Sequence, residues 1–225
     1  METIKLGNTV IRILQDDSAE DPRTTYDHLG KMVCWHSRYD LGDENPFKTP
    51  DDFSEFVETE DIFFLRLFLY DHSGLSMNTD GFSCRWDSGQ VGFIYINKGD
   101  FISNFGAWDQ EKATDLLKSE VVEYDHFLRG NCFGYTVSEV QHCNLGHEHE
   151  NEIDSCWGFI GDFDQVTKDV LGELGLVFIG DQHVDGQVYA EIENGVIKSF
   201  KTKEPNDFVE YTIGGRVYTV GEQFK

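Results

Sequence analysis

The chain has 225 residues, and its 18 Lys and Arg stand against 42 Asp and Glu, a net charge of −24. A field of that sign excludes binding nucleic acid or anionic lipid through a general basic surface. It leaves cations, basic proteins and proteins that themselves bind nucleic acid. With 18 Phe, 9 Tyr and 4 Trp, the chain has the ring surface to fold that a disordered acidic tail lacks.

Residues 4–14 read as two strands around a Gly7-Asn8 turn. Polar residues 15–27 predict a loop, and Met32-Val33-Cys34-Trp35-His36 a short strand. Thr49-Pro50-Asp51-Asp52 opens a helix expected to reach residue 58. Thr49 caps it, Pro50 suits its first position, and the acids meet the positive end of its dipole. The most apolar run, Ile62 to Tyr70, is too short to cross a membrane and is broken by Arg66, so it reads as a buried strand. Residues 71–89 predict a long loop, 91–97 a second apolar strand and 98–105 one or two helical turns.

Residues 109–128 carry the strongest helix signal. Leu116, Leu117, Val121, Tyr124, Phe127 and Leu128 recur at helical spacing, and Gly130 stands at the C-terminal cap. Residues 132–140 and 153–160 predict strands joined by a long polar loop, and 164–174 a helix closed by Gly175. Asn194-Gly195 is a hairpin turn, and Gly214-Gly215 repeats the pattern between residues 208 and 220. The fold class expected is α+β. A mainly antiparallel sheet of 62–70, 91–97, 132–140 and 153–160, extended by the N-terminal hairpin, packs against the long helix 109–128, and a C-terminal β-meander follows. The domains expected are a core of residues 1–182 and a meander of residues 183–225.

The start of the chain has neither an apolar segment nor a small-residue cleavage site, and its five cysteines are an odd number. Both point to a cytoplasmic protein with reduced thiols and no membrane association. The acidic excess is uneven. Residues 1–118 carry 11 basic and 22 acidic side chains, residues 119–195 carry 2 and 16, and residues 196–225 carry 5 and 4. The middle third is therefore where a partner would meet carboxylates, in particular Glu120, Glu123, Asp125, Glu148, Glu150, Glu152 and Asp154.

Several clusters carry other chemistry. Cys143, His147 and His149, with carboxylates around them, are zinc-ligand types, though the spacing matches no standard motif and also suits an acidic hairpin loop. Asp71-His72-Ser73 begins where an apolar strand ends. Neighbouring side chains diverge and cannot form a relay, but Asp71 or Asp87 can partner His72 as acid or base. Trp86 and Gln90, in the same segment, are positioned to line a pocket. The same residues also suit plain turn chemistry and packing over the loop's own apolar edge. Cys34 and His36 share a strand face, compatible with a metal or thiolate pair. Ser155-Cys156-Trp157 is similar to the nucleophile run of papain-like proteases, but Asp154 and Ile153 stand where that pattern has Gly and Cys.

Between Met32 and Gly161 the wording of the chain resembles a family of small bacteriophage, prophage and mobile-element proteins that has no settled activity. The residues concerned are Met32-Val33-Cys34-Trp35-His36, Arg38-Tyr39, Leu41-Gly42-Asp43, Tyr70-Asp71-His72-Ser73-Gly74 and Phe82-Ser83-Cys84. Trp86-Asp87-Ser88-Gly89-Gln90-Val91-Gly92-Phe93, Gly134-Tyr135 and Asp154-Ser155-Cys156-Trp157-Gly158-Phe159 complete them. The resemblance implies a mobile-element protein acting in a bacterial cytoplasm and supplies no catalytic residue.

Two readings follow. In the first, the chain is a non-enzymatic, acidic inhibitor of a host protein with a basic nucleic-acid-binding surface, anti-restriction or anti-CRISPR in type, with no cofactor and no direct nucleic-acid contact. In the second, it is a small hydrolase or ligand-binding module using His72, Asp71 and Asp87, with zinc at Cys143, His147 and His149 as a possible cofactor. Neither strand order nor oligomeric state is legible.

Overall fold

In the computed structural model residues 1–182, 186–203, 209–213 and 215–224 are described. The chain begins with β1 (Glu2–Leu6), β2 (Thr9–Gln15), α1 (Pro22–Thr25), β3 (Lys31–Cys34), α2 (Pro50–Thr59) and β4 (Ile62–Asp71). Then come β5 (Leu75–Asn78), β6 (Ser88–Asn97), α3 (Lys98–Phe105), α4 (Gln110–Leu128), β7 (Cys132–His142), β8 (Glu148–Ile160) and α5 (Phe163–Glu173). It closes with β9 (Leu176–Gln182), β10 (Gly186–Glu193), β11 (Val196–Lys201), β12 (Glu210–Ile213) and β13 (Arg216–Thr219). These form two compact units: Ser18–Asn131, and Met1–Asp17 together with Cys132–Lys225.

The Ser18–Asn131 unit is a three-layer arrangement around an antiparallel sheet of order β3-β6-β4-β5. Register sets the layers. Leu65 faces Ile94 and Phe63 faces Ile96, so alternate residues of β4 and β6 point to the same side. On that side Leu67, Leu69, Ile94 and Ile96 pack with Ala113, Leu117, Val121 and Tyr124 of α4. On the other side Phe64 and Phe93 meet Phe53 of α2, which is 1% exposed and stacks on Phe93 with ring centroids 4.6 Å apart. The α2 start is as expected: Thr49 and Asp52 form a reciprocal capping box and Pro50 leads the helix. Gly92 allows β3 to come this close, because a Cβ there would lie 2.0 Å from the Val33 carbonyl oxygen.

The other unit holds a sheet of order β1-β2-β7-β8. Ile4, Ile11, Ile13, Tyr135 and Val137 bury against Val166, Val170 and Leu171 of α5. A second sheet of order β11-β10-β9 turns at Asn194-Gly195, both with positive φ as a type I′ turn requires. β12 and β13 pair separately.

The α+β class and the antiparallel pairing are as the sequence reads, but the single sheet on one long helix is not. Residues 62–70 and 91–97 pair in one sheet under α4, whereas 132–140 and 153–160 pair in another with the N-terminal hairpin and α5. Among the described residues there are five helices. The C-terminal residues form two sheets rather than one meander, and Phe208 and Gly214 of the second expected hairpin lie outside the described residues. The expected boundary at 183 also lies there, and β9 and β10 on either side of it pair with each other. No helix among the described residues is long and apolar enough to cross a membrane.

Candidate functional site

β4 and β6 lie side by side, so the end of one and the start of the other place Asp71 against Asp87. The Asp71 amide donates to the Asp87 carbonyl at 2.8 Å. The chain reverses after Asp71 through His72-Ser73-Gly74, with Ser73 and Gly74 at φ 58° and 152°, and pairs back as β5. Arg38 donates to the Asp71 carboxylate, and the Tyr39 hydroxyl donates to it at 3.4 Å. His36 stacks on the Tyr39 ring at 5.0 Å, and the Arg38 guanidinium lies 5.3 Å from the same ring. The amides of Arg38 and Tyr39 both donate to His36 Nδ1 at 3.3 Å. A ring nitrogen that accepts carries no proton, so the His36 proton sits on Nε2.

Five residues singled out from sequence, His36, Asp71, Trp86, Asp87 and Gln90, thus line one cavity of about 390 Å³ with Trp35 and Arg38. Trp86 is 95% exposed. His72 is not part of the lining. Its Nδ1 stands 3.6 Å from Asp87 Oδ2, an ion-pair distance when the ring is protonated but too long for a hydrogen bond. The Cys84 thiol donates to the same oxygen at 3.2 Å. Arg38 and Tyr39 are the members that composition does not flag.

Cys34 does not join this chemistry. Burial, then the nearby Asp43 carboxylate, push its thiol up to about 12, so it stays protonated and is no thiolate.

The carboxylates of the acidic third fall into two groups. Three belong to α4 and work within the Ser18–Asn131 unit. Glu120 is only 7% exposed; it pairs with Arg23 at 3.0 Å and accepts from the Gly30 amide at 3.0 Å. Asp125 accepts from the Ser76 hydroxyl and the Met77 amide, each at 2.7 Å. Glu123 meets His28 Nε2 at 2.9 Å.

The other four lie on β8 in the other unit. β8 is the edge of its sheet, and its residues from Glu148 to Trp157 are exposed. Glu148, Glu150 and Glu152 oppose His142, Val140 and Ser138, so they share one face. The register shifts between Val137 and Ser138, which turns Asp154 to the opposite face. Arg12 grips Glu150 with both terminal nitrogens, at 2.6 and 2.8 Å, and holds its carboxyl below the ordinary range. His142 lies 3.5 Å from Glu148.

Cys143 and His147 close the β7–β8 turn, the Cys143 amide donating to the His147 carbonyl at 2.9 Å, while His149 sits beyond on β8 opposite Gln141. Among the described residues no three His, Cys, Asp or Glu side chains converge to hold a metal ion, so Cys143, His147 and His149 are not brought together as ligands. Cys156 is an exposed strand residue opposite Tyr135.

The chain matches no protein-family model, no curated protein and no solved structure.

Proposed function

We propose that the chain is a non-enzymatic binding protein that presents carboxylates to the basic nucleic-acid-binding surface of another protein. The observation that carries this reading is β8: an edge strand exposed over its first ten residues, with Glu148, Glu150 and Glu152 on one face. Alternate strand residues are about 6.6 Å apart, close to the separation of successive phosphates along a nucleic-acid strand. The net charge of −24 adds long-range attraction for a Lys- and Arg-lined channel. Glu120 and Asp125 are left out of this surface, because both are held within their own unit, whereas Glu150, though paired with Arg12, stays on the exposed edge strand. The bacterial setting of the partner rests on the sequence resemblance alone.

The test is affinity capture from bacterial lysate, washed at low and then high salt, with the captured protein identified by mass spectrometry. A nucleic-acid-binding protein released by high salt is expected. Replacing Glu148, Glu150 and Glu152 by Gln should weaken its binding tenfold or more, since charge pairs across an interface couple by about 1.5 kcal/mol or more. Tight binding indifferent both to salt and to these substitutions would overturn the reading.

A second reading is favoured by the cavity beside Asp71 and Asp87, with Trp86 bared at its mouth. There the chain binds a small ligand or hydrolyses it, with His72, outside the lining and 3.6 Å from Asp87, as the acid or base that Asp87 joins to the cavity. On that reading His72→Ala abolishes ligand turnover at an unchanged melting temperature, because His72 is largely exposed. A variant that turns over ligand like the parent chain would remove His72 from the mechanism.

A further inference from the structure

β8 offers a partner its backbone as well as its carboxylates. It is the last strand of the β1-β2-β7-β8 sheet, and among the described residues no strand pairs with its outer side. Native sheets blunt such an edge with lysine, with proline or by keeping it short, because a row of open N–H and C=O groups recruits another strand. β8 runs for 13 residues and contains neither Lys nor Pro. Its bulges at Ile153 and Gly158 leave residues 148–152 as an uninterrupted run.

The bonds of the neighbouring strands show which residues of that run face outward. In an antiparallel ladder, successive residues of a strand turn their N–H and C=O groups alternately to one neighbour and to the other. The Val140 amide donates to the Asn8 carbonyl at 2.7 Å, on the β2 side, so Glu139 and Gln141 turn towards β8. Their partners there are Asn151 and His149. The Cys143 amide, which donates to the His147 carbonyl, continues the same alternation. Glu148, Glu150 and Glu152, opposite His142, Val140 and Ser138, therefore turn their N–H and C=O groups to the open edge. The residues that make the acidic row are thus the ones that carry the outward backbone groups.

Charge selects the occupant. A second copy of the chain, paired antiparallel about Glu150, would set Glu148 against Glu152, and like charges directly opposite are destabilising. A Lys or Arg opposite each glutamate is favourable, the Cα atoms of such hydrogen-bonded pairs lying about 5.5 Å apart. Arg12 offsets one carboxylate, that of Glu150, and the row stays net negative. We infer that β8 takes up an extended basic segment as an added antiparallel strand, with Lys or Arg at alternate positions opposite Glu148, Glu150 and Glu152. Basic arms of this kind are a recurrent feature of proteins that bind nucleic acid. The inference rests on the reading of β8 as the acidic surface and adds how the partner is held.

The test uses the full chain and a capped, fluorescently labelled peptide with the core Lys-Val-Lys-Val-Lys, read by anisotropy at low salt. Saturable binding is expected. Methylating the three lysine amides keeps every charge and removes the backbone donors. It should weaken binding about tenfold or more, the worth of three backbone hydrogen bonds. Amide exchange followed by NMR should slow at Glu148, Glu150 and Glu152 on binding, and stay unchanged at His149 and Asn151, which already pair with β7. A variant carrying Glu148→Gln, Glu150→Gln and Glu152→Gln should bind the peptide about tenfold less tightly.

No saturable binding, equal affinity for the methylated peptide, or binding without slowed exchange at those three amides would overturn strand addition. Salt-released capture of a nucleic-acid-binding protein would still stand for the acidic surface. Equal affinity in the Gln variant would instead overturn selection by the carboxylates, and with it the acidic reading of β8.

Discussion

Arg23 shows how much one side chain organises. It sits on the single-turn helix α1, whose first turn is capped by Asp21, and its side chain is wholly buried. It donates to Asp43 at 2.6 and 3.1 Å, to Glu120 at 3.0 Å and to the Gly30 carbonyl at 2.7 Å. Asp43 in turn accepts from the Met32 amide, so the ion cluster ties α1, β3 and α4 together. Removing the cation strands two carboxylates in a poorly solvated place. Arg23→Met is expected to cost about 3–5 kcal/mol, read from urea unfolding. A loss under about 1 kcal/mol would mean that water takes over the role of the guanidinium. Glu120, expected among the carboxylates offered to a partner, is instead buried: it falls three residues after Leu117 and four before Tyr124, on the inward stripe of the helix. What was not legible was its partner, an arginine 97 positions away in a segment that reads as loop.

At the scale of elements, β5 is the instructive case. Leu75-Ser76-Met77-Asn78 has little strand propensity and lies among glycines, so local pattern reads it as loop. It becomes a strand because β4 offers it an edge and Asp125 of α4 receives both the Ser76 hydroxyl and the Met77 amide. Asp125→Ala should leave that amide unsatisfied against the core, at a cost of about 1–3 kcal/mol. Hydrogen exchange at residues 75–78 should accelerate more than exchange in β4 and β6. Uniform acceleration across the sheet would instead make β5 part of one cooperative block. β9 is different: Leu176-Val177-Phe178-Ile179 is rich in strand formers and so is readable locally, and its pairing with β10 is what the structure adds. Likewise α2, α4 and the Asn194-Gly195 hairpin carry their own caps and turn residues, and those are visible locally.

At the scale of the whole molecule, each unit hides a tyrosine hydroxyl. Tyr124 in one and Tyr189 in the other are both pushed up to about 12, chiefly by burial. A phenol ordinarily titrates near 10. The raised folded-state value means that the native protein holds its proton more tightly than the unfolded chain. The stabilisation is therefore complete below about pH 10 and is lost as pH rises towards about 12. Urea midpoints should fall over that interval, and Tyr189→Phe should flatten the fall, because its ring cannot ionise. A midpoint independent of pH between 9 and 12 would show that both hydroxyls are accessible to water in the native state.

The acidic charge, the long helix, the apolar strands and the turn chemistry are readable along the chain, because each depends on residues within a few positions of one another. The sequence also places Asp71, Trp86, Asp87 and Gln90 in one segment beside two central strands. Tertiary structure decided which strands share a sheet: Ile11 faces Val137, and Arg38 reaches Asp71 across 33 positions. Many antiparallel pairings satisfy the same local alternation of apolar and polar residues. The choice among them is made by which register buries both apolar faces at once while leaving few polar groups unpaired, and that condition exists only when distant segments meet.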